Sequence, residues 1–360
     1  MTGLLDHIRR RIAHDGPISV AEFMALALGH PEHGYYMTRD PLGHAGDFIT
    51  APEISQMFGE LIGLWSAQAW HDMDSPAPVH WVELGPGRGT LAADALRAMK
   101  GVPGMLAALD VHLVETSPVL RRRQGDVLAE RSPVWHETLT AVPEGPAIIL
   151  ANEFFDALPV RQYQRGADGW HERLVTVRDD GALGFRLSPR LGIDPALPSA
   201  LADARPGDVA EISPAAIGTM RALADRLVRG GGVALIVDYG HDKTAPGETL
   251  QAVRAHEYAE VLDRPGEADL TAHVDFQTLG DAARAAGARV FGPVEQGEFL
   301  RRLGIEIRAE HLRASVDDAE HRAAIDAQVQ RLTGADAMGR LFKAIAVTAP
   351  GLAVPAGFEG

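Results

Sequence analysis

The stretch Trp81-Val82-Glu83-Leu84-Gly85-Pro86-Gly87-Arg88-Gly89-Thr90 decides the fold of this 360-residue chain. A mostly apolar strand pattern leads directly into three glycines at alternate positions, and a helical pattern follows. Glycine lets the backbone turn tightly and approach a ligand closely, while the start of the helix offers free N–H groups. The stretch therefore predicts a ligand seat at the end of a β-strand.

Short apolar runs alternate with helical patterns from residue 80 onward. This alternation is typical of β-α units built around a mostly parallel sheet. The predicted strands are 81–84, 111–115, 147–151, 233–238, 289–291 and 343–348. We therefore predict an α/β protein with a doubly wound sheet.

The flanking patterns predict additions to this sheet. Ser19 and Glu22 form a capping box, and a second capping box with a proline predicts a long helix that begins after Thr50. Alternating polar and apolar residues predict an antiparallel β insertion, and an Ala, Arg and Glu-rich stretch predicts a helical one. We predict this division: 1–78, an N-terminal helical segment and lid; 79–350, the sheet domain with insertions at about 157–211 (β-rich) and 295–335 (helical); 351–360, a C-terminal tail.

The composition argues against several classes of protein. A formal charge of -15, from 34 Lys+Arg against 49 Asp+Glu, disfavours contact with phosphate backbones, so no nucleic-acid partner is expected. The absence of cysteine excludes disulfides and thiolate chemistry. No apolar stretch approaches the roughly 20 residues that span a bilayer, so membrane insertion is not expected. The sequence does not indicate an oligomeric state.

The spacing of the glycines discriminates between cofactors. A dinucleotide fingerprint places its third glycine three residues after the second, whereas Gly87 and Gly89 are only two apart. The spacing matches the loop of Rossmann-like methyltransferases, which packs against the amino-acid end of S-adenosylmethionine. Glu83 suits that cationic ligand, and Glu115 ends the next strand, where a carboxylate can accept ribose hydroxyls. S-adenosylmethionine is therefore the predicted cofactor.

Several motifs along nearly the whole chain resemble the MidA family. They are GDFITAPEIS at 46–55, ELGPGRGT at 83–90, ANEFFDALP at 151–159, VDYG at 237–240, DLTAHVDF at 269–276 and MGRLFK at 338–343. The resemblance implies a Rossmann-like class I methyltransferase fold with inserted substrate-binding elements. It also implies symmetric dimethylation of a protein arginine in a respiratory complex I subunit, as described for eukaryotic members. Without a convincing transit peptide the chain resembles a bacterial, cytoplasmic member; a eukaryotic one is expected in the mitochondrial matrix.

The residues expected to bind the cofactor come from the glycine loop, the following strand ends and the family motifs. They are Asp47, Thr50, Glu83, Gly85, Pro86, Gly87, Gly89, Thr90, Glu115, Trp135 and Asn152. Two of them also have a structural interpretation that does not involve the cofactor. Asp47 can cap N–H groups of its own turn instead of reaching the cofactor, and Trp135 can pack in the core instead of covering the adenine.

The residues expected to act in catalysis are Glu153, Asp156 and His273. Glu153 and Asp156 follow a strand at the carboxyl edge, where open α/β sheets bind their ligands. The alternative is a helix N-cap at Asn152 with Glu153 near the helix dipole. His273 can instead be a structural histidine bonded to acidic neighbours.

No metal site is predicted, because the loop histidines lack a completing partner motif. These histidines are His30, His33 and His44.

Three other functions remain open at this point. The same cofactor can serve a small molecule or RNA, and the acidic balance disfavours RNA. A non-catalytic assembly chaperone can retain the fold and bind a respiratory subunit. An NAD-dependent enzyme is the most remote alternative, because the glycine spacing fits a pyrophosphate less well.

Overall fold

The computed structural model describes residues 3–40, 43, 46–190 and 197–359. Its helices are α1 (Gly3–Asp15), α2 (Val20–Gly29), α3 (Tyr35–Thr38), α4 (Ala51–Ile54), α5 (Gln56–Asp72), α6 (Thr90–Met99), α7 (Met105–Ala108), α8 (Pro118–Val127), α9 (Pro214–Gly230), α10 (Phe276–Ala285), α11 (Gln296–Arg302), α12 (Ile305–Ala314), α13 (Ala319–Thr333) and α14 (Met338–Leu341). Within these described residues, no helix is long and apolar enough to cross a membrane.

The strands follow the predicted runs and add several short ones. They are β1 (Ile18–Ser19), β2 (Val79–Leu84), β3 (Leu109–Val114), β4 (Val134–His136), β5 (Ala147–Asn152), β6 (Arg161–Arg165), β7 (Trp170–Val177), β8 (Leu183–Leu187), β9 (Val209–Ile212), β10 (Gly232–His241), β11 (Gln251–Arg254), β12 (Glu257–Ala259), β13 (Asp269–Thr271), β14 (Val274–Asp275), β15 (Arg289–Glu295) and β16 (Phe342–Thr348). All six predicted strands are present, each with shifted or extended ends.

The chain divides into two compact units. Unit 1 comprises Met1–Phe48, Phe155–Thr219 and Asp242–Leu279; unit 2 comprises Ile49–Phe154, Met220–His241 and Gly280–Gly360. The division that the sequence suggested, into a lid at 1–78, a sheet domain at 79–350 and a tail at 351–360, stays a prediction.

Unit 1 contains two antiparallel sheets. One has the strand order β1-β7-β6-β9 with β8 beside β7, and the other has the order β12-β11-β13. The antiparallel pairing of β6, β7, β8 and β9 confirms the β-rich character expected of this part of the chain. The capping box predicted at Ser19 is also present: its hydroxyl accepts from the Glu22 N–H, and the Glu22 carboxylate accepts from the Ser19 N–H.

Unit 2 is built on the predicted α/β sheet, with the order β15-β16-β10-β5-β2-β3-β4. Neighbouring strands from β10 to β4 pair in parallel. On the other side of β10, strand β16 pairs antiparallel with β10, and β15 pairs antiparallel with β16. The doubly wound α/β fold is therefore confirmed, and β2 is buried over its whole length. Helices α11, α12 and α13 occupy the stretch for which a helical insertion was predicted.

The register of the parallel strands aligns their carboxyl ends. Leu84, the last residue of β2, pairs with Val114 on one side and with Ala151 on the other. The residues that follow these three strands therefore begin at the same edge of the sheet, which is where open α/β sheets bind ligands.

The long helix predicted after Thr50 is wrong in one respect, because it is interrupted at Ser55. Helix α4 ends at Ile54, and Ser55 is extended, with φ -158° and ψ 136°. Its side chain accepts from the Met57 N–H, so Ser55 caps the start of α5. A serine oxygen that satisfies a free N–H at a helix start favours this restart over a continuous helix.

Helices α5 and α6 approach closely because α5 presents glycines to its neighbour. A Cβ added to Gly63 would lie 2.5 Å from the Ala95 carbonyl oxygen and 2.7 Å from the Ala95 Cα. A Cβ added to Gly59 would lie 2.6 Å from the Cβ of Asp94. Backbone atoms cannot move aside cheaply, so the spacing of this helix pair depends on the missing side chains.

Gly63→Ala should therefore destabilise the protein by about 1–3 kcal/mol, the usual cost of overpacking. This loss should outweigh the gain of up to about 1 kcal/mol that alanine brings to a helix interior. Gly218→Ala in α9 is the matched control, since no atom of the described residues lies within 4 Å of its added Cβ. Thermal and urea unfolding should place Gly63→Ala below the wild type and Gly218→Ala at or above it. Equal behaviour of the two variants would contradict the packing argument.

Candidate functional site

The glycine loop after β2 has the backbone conformation that its sequence suggested. Gly85, Gly87 and Gly89 all have positive φ, at 60°, 54° and 84°. A Cβ on Gly85 would also lie 2.9 Å from Cδ2 of Phe154. The loop is closed by the Gly89 N–H, which donates to the Pro86 carbonyl at 2.8 Å. Glycine is required here by conformation and by close packing together.

The side chain of Glu83 is buried beneath this loop. It is only 2% exposed, and its Oε2 has no hydrogen-bond partner within the part of the chain that the structure describes. Burial, and then the nearby charge of Glu115, raise the pKa of Glu83 to about 8. The carboxyl group is therefore largely protonated at neutral pH, and a cation beside it would favour loss of that proton.

The carboxylate of Glu115 lies just after β3 and is also buried. It accepts from the Ser117 N–H at 2.8 Å and from Gln124 Nε2 at 3.2 Å. Burial raises the pKa of Glu115, while these hydrogen bonds act in the opposite direction. The Thr116 N–H is a third donor to this carboxylate. Because a carboxylate offers about four acceptor positions, these bonds leave capacity for a further donor such as a hydroxyl.

Gln124 of α8 connects three elements of unit 2 and is fully buried. Its Nε2 donates to the Gly87 carbonyl at 2.7 Å as well as to Glu115. Its Oε1 accepts from Trp135 Nε1 at 2.8 Å. Gln124 therefore fixes the glycine loop, the carboxylate after β3 and the indole of β4 relative to one another. The Trp135 side chain is therefore held by a hydrogen bond in addition to its packing.

The residues after β5 do not form the helix start that was considered as an alternative. Asn152 ends β5, and a turn follows instead of a helix, so the N-cap interpretation of Asn152 is wrong. Glu153 has φ 49°, a left-handed conformation that non-glycine residues rarely adopt. Its Oε1 accepts from the Ala51 N–H at 2.9 Å and from Asn152 Nδ2 at 3.1 Å.

The side chain of Asn152 contains one buried acceptor. Oδ1 of Asn152 has no hydrogen-bond partner in the described residues of the chain. Such a group usually costs stability unless a ligand or a water satisfies it. This acceptor thus lies at the same sheet edge as the Glu83 carboxyl group.

The two predicted threonines have different surroundings. Thr90 Oγ1 donates to the carboxylate of Glu53, which also lies 3.8 Å from Arg88 Nη1. Thr50 precedes α4, and its side chain makes no capping hydrogen bond there. Unit 2 thus gathers the predicted loop and strand-end residues, with Glu53 as an additional carboxylate.

Unit 1 contains a separate acidic group. Asp47 accepts from the Tyr35 hydroxyl at 2.6 Å and from the Ala255 N–H at 2.7 Å, so it caps a backbone group that is distant in the sequence. Asp269 accepts from the Tyr36 hydroxyl at 2.8 Å. Burial, and then the charge of Asp156, raise the pKa of Asp269 to about 7. This unit therefore contains two buried carboxyl groups, Asp156 and Asp269, in addition to the half-buried Asp47.

Asp156 and His273 both belong to unit 1. The Asp156 side chain is buried, and its backbone carbonyl accepts from the Ala272 N–H at 2.9 Å. The His273 N–H donates to Thr249 Oγ1 at 2.9 Å. These contacts do not distinguish a catalytic from a structural histidine, and both roles stay predictions.

The chain is similar to known methyltransferases over most of its length. The family model of S-adenosyl-L-methionine-dependent methyltransferases matches residues 61–294. The protein arginine methyltransferase NDUFAF7, mitochondrial, of Xenopus tropicalis is 39% identical over 96% of this chain and 85% of its own. The chain belongs to this methyltransferase family. The human protein of the same name is 39% identical over 86% of this chain and 75% of its own.

A solved structure from Burkholderia thailandensis, bound to S-adenosyl-homocysteine, has the same fold. It shares 30% identity and a TM-score of 0.82, and the match covers 99% of this chain and 92% of that chain. A native structure from the same organism gives a TM-score of 0.79 at 31% identity, with the same coverage. The protein is therefore an S-adenosylmethionine-dependent methyltransferase with a class I fold, and the NAD-dependent alternative is set aside.

The residues of unit 2 fit this cofactor. Oε2 of Glu83, which has no partner among the described residues, suits the cationic amino-acid end of the cofactor, and Glu115 has spare acceptor capacity for a ribose hydroxyl. The left-handed glycines let the loop backbone come close to a ligand. We propose these residues as the cofactor-binding set, and the remaining predicted residues of unit 2 stay candidates.

Sequence reasoning missed Gln124 and Asp269. Gln124 lies in the charged run of α8, where no local pattern distinguishes it from a solvated residue. Asp269 belongs to a motif that carried the family resemblance, but a buried aspartate cannot be recognised without knowing its neighbours. Its uncharged flanking residues, Ala268 and Leu270, were the available signal for burial.

Glu83 should make cofactor binding depend on pH. Because the cationic cofactor favours ionised Glu83, whose pKa in the free protein is about 8, a proton must leave on binding at neutral pH. Affinity should therefore weaken as the pH falls from 7.5 to 6, by up to about tenfold per unit. Isothermal titration calorimetry in buffers of different ionisation enthalpy should also detect the released proton.

Glu83→Gln is the matched variant for this test. It should bind S-adenosylmethionine more weakly, with no proton release and little dependence on pH in the same range. Since a raised carboxyl pKa lowers stability progressively between about pH 4.5 and 8, the cofactor-free variant should melt above the wild type at pH 8. A wild-type affinity that is constant from pH 6 to 7.5 would refute the role assigned to Glu83.

Gln124→Ala should weaken S-adenosylmethionine binding at least about tenfold, because buried Glu115 and the half-buried Gly87 and Trp135 each lose a hydrogen bond, and a buried group left without its partner costs about 1–3 kcal/mol. Gln68→Ala is the control, since the Gln68 side chain donates an exposed hydrogen bond to Asp72. Gln124→Glu keeps the shape but cannot donate to the Gly87 carbonyl, so it should also bind weakly. Calorimetric affinities, measured together with melting temperatures, distinguish weaker cofactor binding from lower stability of the fold. Normal affinity in a folded Gln124→Ala protein would show that cofactor binding does not depend on the hydrogen bonds of Gln124.

Proposed function

We propose that this methyltransferase transfers a methyl group to a nitrogen of a protein arginine. The observation that carries the proposal is the 39% identity, over 96% of the chain, to relatives named protein arginine methyltransferase. We further propose symmetric dimethylation of a respiratory complex I subunit, as the family resemblance implies. The target residue and the degree of methylation belong to this proposal.

The chemistry assigns a limited task to the protein. S-adenosylmethionine supplies an electrophilic methyl group when it is bound. The side chains must then hold a guanidinium, orient one nitrogen toward the methyl group and take up the proton that this nitrogen loses when the N–C bond forms and the S–C bond breaks. Carboxylates fixed before the reaction are suited to this task, because they need no reorganisation when charge develops.

Glu153 is our candidate for this role within unit 2. Its backbone is held in a left-handed conformation, and its Oε1 already accepts from Ala51 and Asn152. The carboxylate is thereby fixed at the carboxyl edge of the sheet, where its negative charge is compatible with a cationic acceptor.

The acidic group of unit 1 is a second candidate for recognising a cation. Asp47 and Asp269 are each held by a tyrosine hydroxyl, and Asp156 is buried nearby in the same unit. An excess of buried carboxylates lowers the cost of burying a positive charge. We propose that Asp156 contributes to acceptor recognition, and His273 stays a candidate beside it.

The partners follow from the same proposal. We expect a protein substrate and no nucleic acid, in keeping with the formal charge of -15. The relatives are named mitochondrial. For this chain a bacterial cytoplasmic location, or the mitochondrial matrix in a eukaryote, remains a prediction.

The decisive experiment is mass spectrometry of complex I subunits from cells with and without the protein. Arginine dimethylation should disappear without it and return with the wild type. Glu153→Gln should bind S-adenosylmethionine almost normally, but its single-turnover rate should fall about 10²-fold or more, as for the loss of one preorganised electrostatic group. Glu310→Gln, an exposed change in α12, should behave as the wild type.

Other outcomes discriminate the rival functions. An unimpaired rate in Glu153→Gln would remove that residue from the reaction. A protein that binds a respiratory subunit but transfers no methyl group to any acceptor would be an assembly chaperone. Labelled methyl groups recovered only in small molecules or RNA would instead establish a different acceptor class.

A further inference from the structure

Strands β2 and β3 carry a group of polar side chains near their amino ends, away from the glycine loop. Asp110 and His112 are two residues apart on β3, so they share one face of the sheet. His80 of β2 pairs directly with Asp110 in the parallel register. The three side chains are therefore neighbours because of strand geometry alone.

The three residues place possible ligand atoms close together. His80 Nδ1 lies 3.1 Å from His112 Nε2 and 3.9 Å from Asp110 Oδ2. One ligand atom from each residue lies within 4.8 Å of the others. A tetrahedral zinc ion with bonds of about 2.0–2.2 Å holds its ligand atoms about 3.3 Å apart. Small side-chain movements would bring these atoms to that spacing.

The far sides of both imidazoles already have partners. His80 Nε2 lies 3.3 Å from the Glu144 carbonyl oxygen, and His112 Nδ1 lies 3.0 Å from His136 Nε2. A metal-bound histidine usually donates its other N–H to such an acceptor, which fixes the ring and its tautomer. Next to Glu144, the absence of a side chain at Gly145 leaves space for the His80 ring: a Cβ there would lie 3.1 Å from Nε2.

The same rings can also form a neutral chain without metal. In that arrangement His136 Nε2 donates to His112 Nδ1, and His112 Nε2 donates to His80 Nδ1. His80 Nε2 then donates to the Glu144 carbonyl. This chain accounts for the histidines but gives no part to Asp110. The carboxylate is the feature that points to a cation, because it supplies the third ligand and partial charge compensation.

We propose that His80, Asp110 and His112 bind a zinc ion. The two histidines are buried, with 6% and 4% exposure, whereas the Asp110 side chain is 56% exposed. The carboxylate side therefore provides the entry path, and water completes the fourth position. The residues differ from those proposed to bind the cofactor.

The test uses the full-length wild-type protein after chelator treatment and dialysis, titrated with zinc chloride at pH 7.5 by calorimetry. One zinc ion per chain should bind, and the melting temperature should rise with zinc. Asp110→Asn, an exposed change that keeps the side-chain shape, should weaken binding by at least about tenfold. His112→Gln should abolish this site, and circular dichroism should show whether it folds.

Asp318→Asn is the matched control, because Asp318 also contacts a histidine, His321, but at an exposed position. It should bind zinc as the wild type does. S-adenosyl-homocysteine should bind Asp110→Asn normally, which separates the metal site from the cofactor site. A wild type that binds no zinc would overturn the proposal, as would equal zinc affinity in the wild type and Asp110→Asn.

Discussion

The parallel pairing of β2 with β3 on one side and with β5 on the other is the constraint on which unit 2 depends. Each of these hydrogen-bonded registers leaves a strand end at the same edge, so the loop after Leu84, Glu115 and Asn152 begin together. Because β2 is buried over its whole length, a one-residue slip would move every one of its side chains out of the space in which it is packed. The position of the chemistry thus follows from the packing of the strand.

Local signals were sufficient for much of this architecture. The apolar runs of the sheet and the capping box at Ser19 each lie within a few residues, so the sequence displays them directly. The interruption at Ser55 was missed because two compatible capping signals, Thr50 and Ser55, lie five residues apart. Propensity alone does not decide between one long helix and two.

The interior of the site could not be predicted in the same way. Gln124 hydrogen-bonds to residues 9, 11 and 37 positions away, in three different elements. No pattern within α8 indicates those partners, because they depend on how the helix packs against the sheet. The glycine loop was predictable for the opposite reason, since positive φ is a local requirement that glycine meets most easily.

At Glu153 the backbone conformation and the side chain have opposing requirements. A left-handed backbone at a non-glycine residue costs on the order of 1–3 kcal/mol, and glycine would remove that cost. Glycine would also remove the carboxylate that accepts from Ala51, so the conformation and the side chain cannot both be optimised. The Glu153 N–H donates to the Val237 carbonyl at 2.9 Å, which holds the backbone of this residue against β10. A strained residue held from both its backbone and its side chain is typical of positions where a fixed charge matters more than local stability.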